Sequence, residues 1–301
     1  PPPPLPERRM AVLVDGLGSS SGHTTIGDLD TAALGYQPDD VIRFSYRGGT
    51  TDEQPYGASD TTVDLRTSAR RLRALLEQAH RDHPGVPVDL IGHSQGGIVA
   101  RTLLAYEYDT ADPRLPRVAT LVTVASPHQG ADIATALAMA SHTSSGELIE
   151  WGLSATGVSP VDLRGDSVRQ LSETSRFLAK LNRRALPDGV RVTSIGTRGD
   201  LMVPAVHTRL AGASNVVVSV PGVLTEHGRL PGSESAHREV ALAVAGLPPT
   251  CQTLTDMLVD AVVSDLISTA EDGAGAAAYF GSRRVDSGAK STLTIPKERR
   301  R

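Results

Sequence analysis

Three residues in this sequence have the types that together perform acyl chemistry: a serine, an aspartate and a histidine. Ser94 lies within Gly-His-Ser-Gln-Gly at residues 92–96, and Asp200 and His227 follow later in the chain. A serine hydroxyl is a poor nucleophile near neutral pH unless a base accepts its proton, and the base needs a carboxylate to fix its tautomer and stabilise its charged form. The sequence therefore predicts Ser94 as nucleophile, His227 as base and Asp200 as the carboxylate.

The segment around Ser94 predicts a sharp turn from a strand into a helix. Apolar residues 88–91 form the expected strand, and a helix is expected to begin near Gln95. A serine at such a corner has a strained backbone, at a cost on the order of 1–3 kcal/mol. Only glycine fits two positions before and after the serine, because the chain passes close to itself there. Gly92 and Gly96 occupy those two positions.

Backbone amides are the expected donors to the negative charge that develops on the substrate oxygen. The amide of Gln95 lies at a helix N-terminus, where such charge is favoured. A second donor is expected from the glycine-rich run at residues 15–22, directly after the first strand, and we assign it to Leu17. Two such donors each contribute roughly 3 kcal/mol of transition-state stabilisation.

Other histidines and aspartates compete for these roles. His237 also follows the last strand, but it lies further from the strand end and at the start of a helical stretch, so His227 is favoured as the base. His93 is expected to point away from the hydroxyl and to be structural. The remaining competitors are Asp162 and Asp166, which are typical of helix caps, and His128 and His207, which are loop residues that either line the cleft or are simply solvated.

Alternating strands and helices are predicted around these residues. Continuous apolar runs indicate buried strands, whereas apolar residues spaced by three and four indicate amphipathic helices. The pattern predicts an α/β fold: a mostly parallel central sheet with helices on both faces. Catalytic groups in such a fold follow the carboxyl ends of strands, as Asp200 and His227 do. The predicted strands are 10–14, 40–46, 88–91, 118–125, 190–196 and 215–220, and the predicted helices are 61–83, 95–108, 168–186 and 236–245.

Composition shifts divide the chain into four parts. Residues 1–9 are proline-rich and predict a linker, and residues 10–250 predict the α/β domain. An Ala- and Ser-rich stretch at about 131–165 interrupts the rhythm of the domain, which is typical either of a cap over the site or of packed surface helices. Residues 251–270 predict an amphipathic helix that docks on the core, and residues 271–301 predict a loosely ordered tail.

The residue totals exclude several classes of function. A formal net charge of -4 gives no general attraction to nucleic acid, and the single cysteine, Cys251, allows neither an internal disulfide nor a zinc site built from cysteine pairs. No apolar run reaches the roughly 18 to 20 residues needed to span a bilayer. The proline-rich start at Pro1 favours an extracellular or cell-envelope location over the cytoplasm, while the oligomeric state is not readable from the sequence.

Several segments together resemble the α/β-hydrolase superfamily, specifically its bacterial lipase and esterase branch, which includes deacylases of glycosylphosphatidylinositol. The resemblance covers about residues 10–246. Residues 92–97 are similar to the lipase elbow, residues 126–130 to the Ser-Pro-His-x-Gly segment after the next strand, and residues 195–204 to the loop that carries the acid. One departure is Asp15-Gly16, where lipases usually carry His-Gly. We expect Asp15 to turn outward onto local amides or an arginine, because its charge would otherwise repel the oxyanion.

The resemblance implies a serine esterase or lipase that hydrolyses carboxylic esters through an acyl-enzyme, with the chain order Ser94, Asp200, His227 expected for that superfamily. No metal or organic cofactor is needed. The apolar stretch at 131–165 favours a lipid-like acyl substrate and allows contact with a membrane surface. Two alternatives remain at this point: an acyltransferase that uses the same three residues, and a non-catalytic hydrolase-fold binding module.

Overall fold

Six parallel strands form one sheet in the computed structural model, which describes residues 3–49, 54–131, 162, 164–200, 202–220 and 226–250. In chain order the strands are β1 (Met10–Val14), β2 (Val41–Arg43), β3 (Val88–His93), β4 (Val118–Val124), β5 (Arg191–Thr197) and β6 (Ser214–Val218). They lie in the order β2-β1-β3-β4-β5-β6, and every neighbouring pair is parallel. The predicted parallel sheet is confirmed.

Helices cover both faces of this sheet, as the sequence predicted. Successive side chains of a strand point to opposite faces, and β1 shows this directly. Val12 packs in a buried cluster with Leu72 and Leu103, whereas Leu13 packs in a second cluster with Val240. The helices are α1 (Leu65–Asp82), α2 (Gln95–Tyr106), α3 (Asp166–Leu171), α4 (Arg176–Leu181), α5 (Glu226–Arg229) and α6 (Glu234–Ala245).

The prediction of one continuous helix over residues 168–186 is wrong. The structure has two short helices there, α3 and α4, separated by a turn in which the amide of Ser175 donates to the Ser172 carbonyl. The Ser175 hydroxyl then accepts hydrogen bonds from the amides of Phe177 and Leu178, so it caps α4. Serine competes with the helical backbone through such bonds, which explains why the helix restarts here instead of running through.

Strand β2 is shorter than the predicted 40–46. Residues Pro38–Asp40 form a 3-10 turn, and proline at the first position of that turn favours it over an extended entry. At the other end the amide of Phe44 still donates to the Leu13 carbonyl at 2.9 Å, and the chain then turns where Gly48 donates to Ser45. The sheet edge is therefore short, and the chain beyond it passes to the loops near the site.

The last two residues of the proline-rich leader, Arg8 and Arg9, contact the α/β domain. The prediction of a linker over residues 1–9 did not include these contacts. Arg8 pairs with the buried Asp40 at 2.7 Å. Arg9 is itself buried and lies 3.2 Å from the Asp89 carboxylate, which also accepts a hydrogen bond of 2.7 Å from the Tyr36 hydroxyl. Buried charges such as Arg9 are stable when they are paired in this way, so Arg9 ties the leader to β3 and Arg8 ties it to the turn before β2.

Three predicted parts lie wholly or almost wholly outside the described residues. These are the insertion at about 131–165, the docking helix at 251–270 and the tail at 271–301. Within the ranges that the structure does describe, no helix has the length and apolar character needed to cross a membrane.

Candidate active site

Ser94 lies at the corner between β3 and α2 with a strained backbone. Its φ of 52° and ψ of -125° are rarely adopted by a residue with a side chain, and its side chain is partly exposed. A Cβ at Gly92 would lie 2.5 Å from the amide nitrogen of Gly97, and a Cβ at Gly96 would lie 2.1 Å from the carbonyl oxygen of Val14. The predicted reason for both glycines, close approach of the backbone to itself, is confirmed.

The loop after β5 and helix α5 bring the predicted acid and base together. Asp200 Oδ1 accepts hydrogen bonds from the amides of Met202 and Val203 at 2.8 and 2.9 Å. Its other oxygen, Oδ2, lies 2.8 Å from His227 Nδ1, and both side chains are buried. A carboxylate at Nδ1 holds the proton on that nitrogen and leaves Nε2 as the acceptor. The pair has the geometry that a general base requires.

The hydroxyl of Ser94 makes no hydrogen bond to any residue in the described ranges, the ring of His227 included. His93, which directly precedes Ser94 in the chain, contacts His227. The His93 ring lies 4.8 Å from that of His227 between centroids, and His93 Nε2 is 3.0 Å from the His227 carbonyl oxygen. Hydrogen bonds between nucleophile and base are often long in unliganded enzymes and tighten when substrate binds.

The glycine-rich loop after β1 passes directly beside Ser94. A Cβ at Gly16 would lie 3.5 Å from the Ser94 hydroxyl oxygen. In this loop the Gly16 amide donates to Asp15 Oδ1 at 2.7 Å and the Gly18 amide donates to Thr61 Oγ1 at 2.9 Å. Between them, the amide of Leu17 donates to no group in the described part of the chain. Of the three consecutive amides of Gly16, Leu17 and Gly18, that of Leu17 is therefore the one without an acceptor in these ranges.

Gln95 supplies a second amide without a partner. It is the first residue of α2, and the first amides of a helix have no acceptor within the helix. No other acceptor for it lies within the described residues. The Gln95 side chain is buried and donates from Nε2 to the Thr61 carbonyl at 2.7 Å. The two amides predicted as oxyanion donors, those of Leu17 and Gln95, thus both lack an acceptor among the described residues.

Asp15 turns onto local amides, as expected from its place in the loop. Besides the Gly16 amide on Oδ1, its Oδ2 accepts from the Ile26 amide at 3.4 Å. The carboxylate is buried, and Oδ1 lies 3.5 Å from His93 Nδ1. Its partners are these backbone and histidine groups, and no arginine among the described residues pairs with it. Both carboxylate oxygens are therefore engaged by backbone amides other than that of Leu17.

The competing residues are held elsewhere. His237 Nε2 is 2.9 Å from the Asp30 carbonyl oxygen. Asp162 Oδ1 accepts from the Arg164 amide at 2.9 Å and belongs to a turn, while Asp166 pairs with Arg169 inside α3. The interpretation of these aspartates as helix caps is wrong, because the residue at the N-cap of α3 is a glycine.

His128 does not line the cleft, although its loop position allowed that. It is completely buried, with Nε2 3.0 Å from the Thr123 hydroxyl and Nδ1 3.5 Å from Arg101. Burial, and after it the nearby guanidinium, holds the pKa of His128 well below its usual range, so the ring is neutral. His207 lies 3.1 Å from Glu173 and is not part of the group around Ser94. Among the described residues, no cluster of His, Cys, Asp or Glu has an arrangement that holds a metal ion.

Comparison with known proteins supports the architecture. A family model described as a domain of unknown function (DUF7379) matches residues 59–149. The sequence matches no curated protein. The structure is similar to the lipase BlEst2 of Bacillus licheniformis in its mature form, with a TM-score of 0.51, 17% identity, and coverage of 77% of this chain and 91% of that one.

It is also similar to the phospholipase PlaB of Legionella pneumophila in complex with thio-NAD, with a TM-score of 0.51, 13% identity, and coverage of 88% of this chain and 63% of that one. At these identities the likeness concerns the fold. The single parallel sheet with helices on both of its faces agrees with that fold. The chain has the α/β-hydrolase fold.

Proposed function

We propose that this protein is a serine hydrolase of carboxylic esters that works through an acyl-enzyme. Ser94 is the nucleophile, His227 the base and then the acid, and Asp200 the carboxylate that orients His227. The observation that carries the proposal is the buried contact of 2.8 Å between Asp200 Oδ2 and His227 Nδ1, beside a serine with a positive φ. Strained backbone and buried ionisable pairs are common at catalytic sites, which supports this assignment.

The reaction follows from these positions. His227 Nε2 accepts the hydroxyl proton as Ser94 Oγ attacks the carbonyl carbon, and the new negative charge on the substrate oxygen is bound by the amides of Leu17 and Gln95. His227 then gives the proton to the departing alcohol, and Asp200 stabilises the imidazolium in between. Water repeats the sequence on the acyl-enzyme and releases the acid. Each amide donor is worth roughly 3 kcal/mol.

A lipid-like acyl ester is the substrate class we favour. The two similar proteins are a lipase and a phospholipase by name, and a shared fold supports such an activity only by analogy. The apolar composition of residues 131–165 points in the same direction. We therefore expect hydrolysis of a panel of p-nitrophenyl esters to be fastest at intermediate or long acyl chains.

A fluorophosphonate probe tests the nucleophile. We expect the parent protein and Ser45→Ala to be labelled and Ser94→Ala to remain unlabelled, because Ser45 is a buried serine after β2 whose hydroxyl accepts from the Arg47 amide. Loss of label in His227→Ala would add support for the base. A parent protein that is folded yet neither labelled nor active on any ester would favour the non-catalytic binding module.

Product analysis distinguishes hydrolysis from acyl transfer. The same acyl-enzyme is attacked by water in one case and by an alcohol acceptor in the other. We expect the free acid to be the main product with and without added alcohol. A new ester that replaces the acid when an alcohol is present would identify the protein as an acyltransferase with the same catalytic residues.

A further inference from the structure

Thr61 contacts both loops that supply the proposed oxyanion donors, although it is distant from each in sequence. It lies in a 3-10 turn, Ala58–Thr62, and is completely buried. Its side chain bonds to the loop after β1 and its carbonyl bonds to the first residue of α2. A single residue therefore links the two segments whose relative position determines where a substrate oxygen binds.

The hydroxyl of Thr61 fixes the Leu17 side of the site. Thr61 Oγ1 accepts from the Gly18 amide at 2.9 Å and donates to the Ala58 carbonyl at 2.5 Å. Because the hydroxyl proton of Thr61 is donated to the Ala58 carbonyl, the hydroxyl oxygen is oriented to accept the hydrogen bond from the Gly18 amide. Gly18 directly follows Leu17, so this bond sets the plane of the peptide group next to the donor.

The carbonyl of Thr61 fixes the Gln95 side of the site. It accepts from Gln95 Nε2 at 2.7 Å and from the Ser167 hydroxyl at 3.0 Å, so both of its lone pairs are used. The Gln95 side chain is buried and reaches across from the start of α2 to make this bond. The residue whose amide is a proposed donor is thereby held against the same turn as Gly18.

We infer that Thr61 is a positioning residue that holds the Leu17 and Gln95 amides at the separation an oxyanion requires. This inference rests on the proposed function. Thr61 contacts neither Ser94 nor His227 by any hydrogen bond, so it acts only through the two donors. Preorganised donors lose much of their effect when they shift by a fraction of an ångström from the position of the developing charge. Thr61 therefore affects the transition state more than the bound substrate.

Three variants test this inference in the full-length protein. Thr61→Val keeps the shape of the side chain and removes the hydroxyl, and we expect kcat for a p-nitrophenyl ester to fall about 10- to 100-fold with KM within about threefold. Thr61→Ser restores the hydroxyl and should recover most of kcat. Thr102→Val is the matched control, because Thr102 is an equally buried threonine whose hydroxyl donates only to the Ile98 carbonyl within α2.

A trifluoromethyl ketone inhibitor gives a readout that a purely structural role would not change. It adds to the serine and forms a charged oxygen in the oxyanion position, so its inhibition constant should rise in Thr61→Val by about the same factor as kcat falls. Gln95→Met, which keeps the backbone amide and removes the bond to the Thr61 carbonyl, should behave in the same way even if Thr61→Val folds poorly.

Two outcomes would overturn the inference. One is a Thr61→Val protein that loses thermal stability as Thr102→Val does while kcat and inhibition stay unchanged. The other is Gln95→Met with unchanged kinetics. The Ser94→Ala variant distinguishes a failure of the Thr61 role from a failure of the proposed function. If Ser94→Ala keeps full activity, the proposed function is wrong. If Ser94→Ala is inactive and Thr61→Val is unaffected, only the role of Thr61 is contradicted.

Discussion

A methyl group at Gly96 tests how closely the elbow and the end of β1 must fit. A Cβ there would lie 2.1 Å from the Val14 carbonyl oxygen and 2.6 Å from that of Asp15. Both are backbone atoms, so Gly96→Ala must move the elbow away from β1 by about 0.9 Å, the difference between 2.1 Å and a just tolerable 3.0 Å. A misplacement of about 1 Å lowers catalytic rates on the order of 100-fold, which corresponds to about 2.7 kcal/mol.

We expect Gly96→Ala to lower kcat/KM for a soluble ester by about that factor and to cost about 1–3 kcal/mol of stability through overpacking. The assay compares ester hydrolysis and urea unfolding with those of Gly22→Ala, where an added Cβ meets no atom within 4 Å. If Gly96→Ala matched Gly22→Ala within about twofold in activity and in unfolding midpoint, the close approach would not matter, and the reasoning from it would be refuted.

Three further predictions concern buried polar groups. Asp200→Asn removes the charge facing His227 Nδ1, so kcat should fall on the order of 10⁴-fold at neutral pH; a loss below about tenfold in the ester assay would contradict that role. Burial lowers the pKa of His128 from 6.5 and keeps its ring neutral, so below that pH only the unfolded chain takes up the proton and the free energy of unfolding should fall by up to about 1.4 kcal/mol per pH unit. Urea unfolding between about pH 7 and 5 should show a weaker pH dependence of stability in His128→Gln than in the parent protein. Equal pH dependence in the two proteins would contradict this prediction. Tyr36→Phe removes a 2.7 Å hydrogen bond to the buried Asp89 and should cost about 1.5–3 kcal/mol in the free energy of unfolding; a change below about 0.5 kcal/mol would show that water replaces the bond.

The sequence predicted the elements that depend on local patterns. Strand β3 and the turn at Ser94 follow from a short apolar run and from two glycines at fixed positions. The parallel sheet follows from the repeated alternation of apolar runs with helical spacing. These features were readable because neighbouring residues determine them. The roles of Ser94, Asp200 and His227 remain predictions that the kinetic experiments address.

The contacts around the site were not readable, because they join residues that are far apart in the chain. Thr61 is 43 residues from Gly18 and 34 from Gln95, and nothing in its surroundings marks it as different from other threonines. The position of His128 was also missed: its contacts with Arg101 and Asn182 join residues 27 and 54 positions away, so the sequence around it did not show that it is buried. The break between α3 and α4 was missed because a serine cap can interrupt an otherwise helical pattern.

The acidic residue in the loop after β1, Asp15, lies next to the proposed oxyanion donor Leu17 and engages the amide of Gly16 between them. A carboxylate this close to Ser94 would repel a developing negative charge if its oxygens pointed toward it. Instead Asp15 Oδ1 takes the Gly16 amide, and Thr61 takes the Gly18 amide on the other side. Both neighbours of Leu17 are engaged, whereas the Leu17 amide itself lacks an acceptor within the described residues. The carboxylate that would otherwise conflict with the proposed ester hydrolysis is thus engaged by the Gly16 and Ile26 amides, and the Leu17 amide stays available for the proposed role.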